Sequence, residues 1–211
     1  MGRAAVLALL LQLGLPAPDR VDATRRDDWQ RPAAVMDALG IRRGSRVADI
    51  GAGSGYFTFH LARRVGMTGR VYAVDIQRPA LADIAQRASR QGLAQITPVL
   101  GTDERPGLEP GSVDAVLVVN TYHEFRAFDS MMQGFRTALK PGGVLAIIEP
   151  EAMAGEPPGR AFRYHRISSA AVREDAEAAG FRFVRHELGF VNPAGGLNSS
   201  YWFFLVFERP D

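Results

Sequence analysis

The stretch Asp49-Ile50-Gly51-Ala52-Gly53-Ser54-Gly55-Tyr56 places three glycines at every second position, the first of them two residues after an acid. Glycine serves where a backbone must turn tightly and a ligand must approach it without a Cβ in the way. An apolar run, Arg46 to Ile50, precedes the turn, and a helical pattern, Tyr56 to Val65, follows it. A turn at a strand–helix junction offers free amide donors and the positive end of a helix dipole, which receive a carboxylate as readily as a phosphate. Spacing separates two ligands. A dinucleotide turn needs glycine at its first, third and sixth positions. Counted from Gly51, the sixth position is Tyr56, so a nicotinamide-dependent oxidoreductase is the weaker alternative.

Further polar residues follow at the ends of later apolar runs. Asp75 lies 20 residues beyond Gly55, next to Ile76, where a carboxylate can accept both hydroxyls of a ribose; a solvated turn acid is the plainer reading. Thr102 and Asp103 follow the third run, and Asp103 could accept from an adenine amino group or cap a turn. The fourth run ends in Asn120-Thr121-Tyr122-His123-Glu124-Phe125. Ligands of open α/β sheets bind beyond the carboxyl ends of the strands, which sets this segment beside the reacting end of the ligand. His123 is the candidate base, with Glu124 second and Tyr122 as a pocket wall; a histidine that only caps or packs is the competing reading.

The elements that must position these residues alternate. Strands are expected at 46–50, 70–74, 96–100, 113–119 and 144–148, and helices from Trp29 or Pro32 to Leu39 and at about 56–65, 79–90 and 126–139. That alternation implies a parallel sheet covered by helices on both faces. Lys140-Pro141-Gly142-Gly143 breaks the chain before the fifth strand. A last helix starts at Ser168 or Ser169 and stops at Gly180; the strands at 181–188 and 201–207, joined by a Gly/Asn/Pro loop, should pair antiparallel. The segment Glu149 to Ser168 reads as a lid, with Arg160, Arg163, Tyr164, His165 and Arg166 as a cationic, aromatic patch for an anionic or aromatic substrate, or as an exposed charged loop.

Composition narrows the chemistry. The chain has 211 residues, a net charge of +2 and no cysteine, which excludes disulfides, thiol nucleophiles and thiolate metal sites. The four histidines show no pair at metal-ligand spacing, so no metal is expected. Arginines and acids are interleaved, which argues against a nucleic-acid partner. Residues 1–27 form an apolar segment and linker, with 28–211 as the domain. The run Ala4 to Leu15 suits a signal-peptide core, with Val21-Asp22-Ala23 as a cleavage site, or an N-terminal helix, or a misplaced start codon. That run is too short to span a bilayer as a helix, and no other segment is long or apolar enough. Nothing in the sequence specifies the number of subunits.

Val47 to Thr58, Asp75, Gly101-Thr102-Asp103, Asp114-Ala-Val-Leu and Leu139-Lys-Pro-Gly-Gly-Val144 together resemble the class I S-adenosylmethionine-dependent methyltransferases, over residues 28 to 207. The general look is similar to the small-molecule branch that includes quinone-biosynthesis enzymes. The resemblance implies a Rossmann-like three-layer α/β sandwich with a seven-stranded, mostly parallel sheet whose last strand is antiparallel. It implies S-adenosyl-L-methionine as cofactor, with Asp49, Gly51, Ala52, Gly53 and Gly55 around the methionine part, Asp75 and Ile76 at the ribose, Thr102 and Asp103 at the adenine, and Asn120 closing over it. A small-molecule acceptor, methylated at oxygen or carbon, is then expected. The fourth strand is not followed by Asn-Pro-Pro-Tyr or Asp-Pro-Pro-Tyr, which argues against nitrogen methylation of that pattern. A non-catalytic cofactor-binding module and an RNA or protein methyltransferase are the remaining alternatives. Because that cofactor is made in the cytoplasm, a cytoplasmic enzyme is expected over an exported one.

Overall fold

The computed structural model describes residues 26–153, 156, 164–190 and 201–211. The strands are β1 (Arg46–Ile50), β2 (Arg70–Asp75), β3 (Ile96–Leu100), β4 (Val113–Val119), β5 (Leu139–Pro150), β6 (Arg182–Leu188) and β7 (Trp202–Glu208). The helices are α1 (Pro32–Ala38), α2 (Tyr56–Val65), α3 (Arg78–Arg90), α4 (Phe128–Ala138) and α5 (Ser169–Ala178), with a 3-10 turn at Tyr122–Glu124. Residues 26–30 are also helical and pack on the sheet: the Trp29 ring meets Trp202 edge-on at 5.7 Å.

One seven-stranded sheet runs in the order β3-β2-β1-β4-β5-β7-β6. Strands β1 to β5 are parallel, and β7 is antiparallel to both its neighbours. This is the Rossmann-like, seven-stranded sheet with an antiparallel last strand that the resemblance implied. Alternate residues of the central strands feed two cores. Val47, Ala115, Leu117 and Ala146 pack with α1, α2 and α3, while Ala48, Val116, Val118, Leu145 and Ile147 pack with α4 and α5. Strands buried on both faces need apolar residues at consecutive positions, and β4 and β7 have them. Helix α4 buries Met131, Met132, Phe135 and Ala138, a spacing that puts all four on one face.

Strand β5 differs from expectation at both ends. Leu139 already pairs with Val113, and residues 140–143 bulge before Val144 takes up Ala115. Gly142, at φ +71°, makes the bulge possible, and its amide donates to the Arg209 carbonyl at 2.9 Å. At the other end the strand continues to Pro150, because Glu149 and Pro150 pair with Phe203 and Trp202 of β7. Glu149 is therefore a buried strand residue rather than the start of a lid.

The chain leaves β1 outward to β3, then crosses back to β4 on the other side of β1. Such a switch opens a crevice at the carboxyl ends of the strands. No helix among the described residues is long and apolar enough to cross a membrane.

Candidate active site

A cavity of about 300 Å³ lies in that crevice, bounded by the ends of β1, β2 and β4 and the turn after β3. That is at the lower end of the roughly 300–1,000 Å³ common for small-molecule sites. Nine of the ten expected cofactor residues line it: Asp49, Gly51, Ala52, Gly53, Asp75, Ile76, Thr102, Asp103 and Asn120. Gly55 stands just behind, as the left-handed cap of α2. A Cβ there would lie 3.0 Å from both Ile84 of α3 and the Phe59 ring. The close-packing glycine is thus at the fifth position of the turn, and Tyr56 at the sixth is free to line the cavity.

The acids are held in place by the backbone around them. Asp75 accepts from the Gly53 and Gln77 amides, each at 2.8 Å, so it ties the glycine turn to the end of β2. Its remaining lone pairs can accept a diol. Asp49 is 3% exposed and accepts the Thr58 hydroxyl at 2.5 Å. Burial pushes its carboxyl up to about 6; the Thr58 hydroxyl and amide hold it back, the Asp75 charge adds to the rise, and Arg26 opposes it. Arg26, Arg105, Thr121 and Phe125 line the cavity too; the two arginines were not foreseen, whereas Thr121 and Phe125 belong to the segment expected beside the reacting end. The Arg26 guanidinium sits 3.9 Å over the Tyr56 ring, whose hydroxyl donates to Asp27 at 2.6 Å. Burial and then that carboxylate raise the Tyr56 phenol above its usual range, so it stays protonated.

The three residues expected to be catalytic are separated by the fold. Glu124 borders the cavity, with its side chain 54% exposed. Tyr122 does not border it: the ring is fully buried, and its hydroxyl donates to Asp175 of α5 at 2.8 Å, which corrects the expectation of a pocket wall. His123 is 1% exposed and stands behind Glu124, outside the described cavity wall. Its Nδ1 pairs with Glu149 Oε2 at 2.7 Å, and its Nε2 lies 3.3 Å from His165 Nδ1. Glu149 also accepts the Thr121 and Tyr122 amides at 2.5 Å each. Burial favours the neutral form of His123, but the Glu149 hydrogen bond and charge outweigh it and raise the imidazole above its ordinary value. Burial raises the Glu149 carboxyl against the donors around it.

Glu149 is the residue that the sequence reading assigned elsewhere. Its signal in the sequence is an acid at the carboxyl end of a buried strand, the same signal that marked Asp49 and Asp75. Of the lid patch, Arg160 and Arg163 lie outside the described residues. Arg166 pairs with Glu156 at 3.2 Å, and His165 comes to His123.

Comparison with known proteins gives the family. Nocamycin O-methyltransferase of Saccharothrix syringae is 30% identical over 125 residues, 58% of this chain and 45% of that protein. The ubiquinone/menaquinone biosynthesis C-methyltransferase of Erwinia tasmaniensis is 24% identical over 164 residues, 76% of this chain and 64% of that protein. The chain thus spans about half to two thirds of the length of these relatives. In fold it is similar to a SAM dependent methyltransferase from Aquifex aeolicus, with a TM-score of 0.71 at 23% identity, covering 92% of this chain and 99% of that one. Residues 41–186, which carry the glycine turn, the cavity acids and the His123–Glu149 pair, match the methyltransferase domain family. The chain belongs to that family.

Proposed function

We propose that the protein transfers a methyl group from S-adenosyl-L-methionine to a small-molecule acceptor, at oxygen or carbon. The observation that carries this is the charge of the cavity wall. Four carboxylates (Asp49, Asp75, Asp103 and Glu124) face two guanidiniums (Arg26 and Arg105). An anionic wall suits a ligand with a sulfonium and an ammonium, and repels the two phosphates of a dinucleotide. Asp49 and the Gly51–Gly55 turn hold the methionine part, Asp75 and Ile76 the ribose, Thr102 and Asp103 the adenine, and Asn120 covers the reacting end.

The reaction is an in-line displacement. The acceptor's electron pair forms the new bond to the methyl carbon, and the carbon–sulfur bond breaks with its pair returning to sulfur. The sulfonium is already a good leaving group, so the protein chiefly aligns the two reactants; such alignment can supply roughly 7–11 kcal/mol of a barrier. Glu124 borders the cavity beside Asn120 and Thr121, on the side assigned to the acceptor. The two relatives, named for oxygen and carbon methylation, support those two acceptor atoms. Residues 28–211 form the working unit, with Arg26 and Asp27 packed onto it, and the reaction is placed in the cytoplasm, where the cofactor is made. Interleaved charges argue against a nucleic-acid acceptor.

Calorimetric titration tests the reading. S-adenosylhomocysteine should bind and NAD should not. Asp75→Asn should weaken binding about 10–100-fold, because a hydrogen bond to a charged group is worth roughly 1.5–3 kcal/mol. Binding of NAD in place of S-adenosylhomocysteine would overturn it.

A further inference from the structure

We propose that His123, Glu124 and His165 form a binding site for a divalent transition-metal ion of the zinc class, on the acceptor side of the cavity. One ligand atom from each of the three lies within 4.8 Å of the others. The spacing in sequence hides the site, since 42 residues separate the two histidines.

Three features support it. The first is distance. His123 Nε2 and His165 Nδ1 are 3.3 Å apart. Two nitrogens bonded at about 2.0–2.1 Å to one tetrahedral ion are separated by roughly 3.3 Å. Glu124 Oε1 is 3.8 Å from His123 Nε2 on an exposed side chain, so a small rotation brings it to the same ion.

The second feature is orientation. Nδ1 of His123 is committed to Glu149 at 2.7 Å, which leaves Nε2 as the nitrogen that presents a lone pair. Glu149 is 0% exposed and is fixed by the Thr121 and Tyr122 amides. A buried carboxylate behind a histidine is the arrangement that orients metal-binding imidazoles and raises their basicity. His165 is held at φ +52°, a left-handed conformation uncommon for a non-glycine residue. The amide of Ile167 donating to Pro150, and that of Ala152 donating to Ile167, clamp this segment against the end of β5 and turn it toward His123.

The third feature is access. His123 is buried, whereas Glu124 and His165 are exposed, and Glu124 also borders the cavity. Three protein ligands with an open side match catalytic zinc sites rather than closed structural ones. Two imidazoles and one carboxylate suit zinc, cobalt or nickel better than magnesium. If the methyl-transfer reading holds, on which this role rests, the open position takes an acceptor hydroxyl. The ion would lower that hydroxyl's pKa, its proton would leave to solvent, and the oxygen's electron pair would form the bond to the methyl carbon as the carbon–sulfur bond breaks with its pair returning to sulfur.

Titrating the metal-free full-length protein with cobalt(II), followed by visible absorption, tests the site without any turnover. One equivalent should bind with the intense bands of a tetrahedral centre, and zinc should displace it. His165→Ala should abolish the signal. Glu149→Gln should weaken binding about 10–100-fold, the usual effect of losing such an outer carboxylate. His165→Ala should still bind S-adenosylhomocysteine in calorimetry, which shows that the variant is folded. Absence of stoichiometric cobalt binding, or binding undiminished in His165→Ala, would overturn the proposal. Cobalt binding without S-adenosylhomocysteine binding would sustain the metal site and retire only the methyl-transfer reading.

Discussion

Replacing Asp49 by asparagine is expected to make the protein more stable and less able to hold its cofactor. The carboxyl is buried, and burial raises it to about 6 from 3.8 in the unfolded chain. Below pH 4 it is protonated in both states and adds nothing against folding. Between pH 4 and 6 the folded state keeps the proton that the unfolded chain gives up. Above pH 6 the ionised carboxylate is buried at a cost of about 3 kcal/mol, from roughly 1.4 kcal/mol per pH unit of difference. Asparagine carries no charge, and its oxygen can still accept the Thr58 hydroxyl. At pH 7.5 Asp49→Asn should melt roughly 6–12 °C higher, at about 2–4 °C per kcal/mol for a chain of this size. The gain should shrink toward zero at pH 4. A melting difference that stays flat between pH 4 and 8 would show that Asp49 is not the cause. Cofactor binding should run the other way. The parent's affinity for S-adenosylmethionine should decline as pH falls through 6, when Asp49 takes up its proton. The variant should bind roughly 10–100-fold more weakly at pH 7.5, with that dependence removed.

Gly51→Ala should be among the most damaging single changes. Gly51 has φ +68°, and its amide donates to Val74 across to β2 at 2.9 Å. The left-handed conformation costs an alanine about 1–2 kcal/mol. An added Cβ would also lie 2.7 Å from the Cβ of Thr121, which is attached directly to the backbone and cannot rotate away. Such overpacking typically adds about 1–3 kcal/mol. The alternative to bearing that cost is to displace Thr121, and with it Asn120 and the Glu149 contact. Gly51→Ala should therefore lose roughly 5–15 °C of melting temperature. It should also bind cofactor at least about 100-fold more weakly, a loss of roughly 3 kcal/mol. Adding Thr121→Gly should restore part of the stability. A double-mutant cycle should give a coupling of about 1–3 kcal/mol; a coupling near zero would show that the contact is not what Gly51 avoids.

Most of the sheet was legible because its physics is local. Apolar runs of five to seven residues between glycine and proline breaks mark β1, β3 and β4 at their observed limits. The cavity acids were legible for the same reason: a carboxylate at the end of an apolar strand is costly to bury unless donors or a ligand meet it there. Glu149 carries that signal, but Pro150 and the glycine-rich stretch after it made the strand look finished at Ile148. The reason it continues, pairing with β7, lies more than fifty residues away. His123 was legible as chemistry but not as position. A one-residue difference around the 3-10 turn decides whether Tyr122, His123 or Glu124 faces the cavity, and no periodicity resolves so short an element. The His123–His165 approach depends on the fold alone.

Strand β7 is the last of the seven strands in chain order yet lies inside the sheet, between β5 and β6. During synthesis, β1 to β5 can assemble with their helices as each emerges, but β5 must present an unpaired edge until residues 202–208 arrive. Register makes the delay specific: Glu149 is opposite Phe203. The cofactor half of the crevice can thus take shape first, while the backing of the Glu149–His123 pair waits for residues 202–208. Nascent chains stalled before Trp202 should therefore expose an open strand edge. In this molecule the ligand-holding half and the half that organises His123 mature at different times.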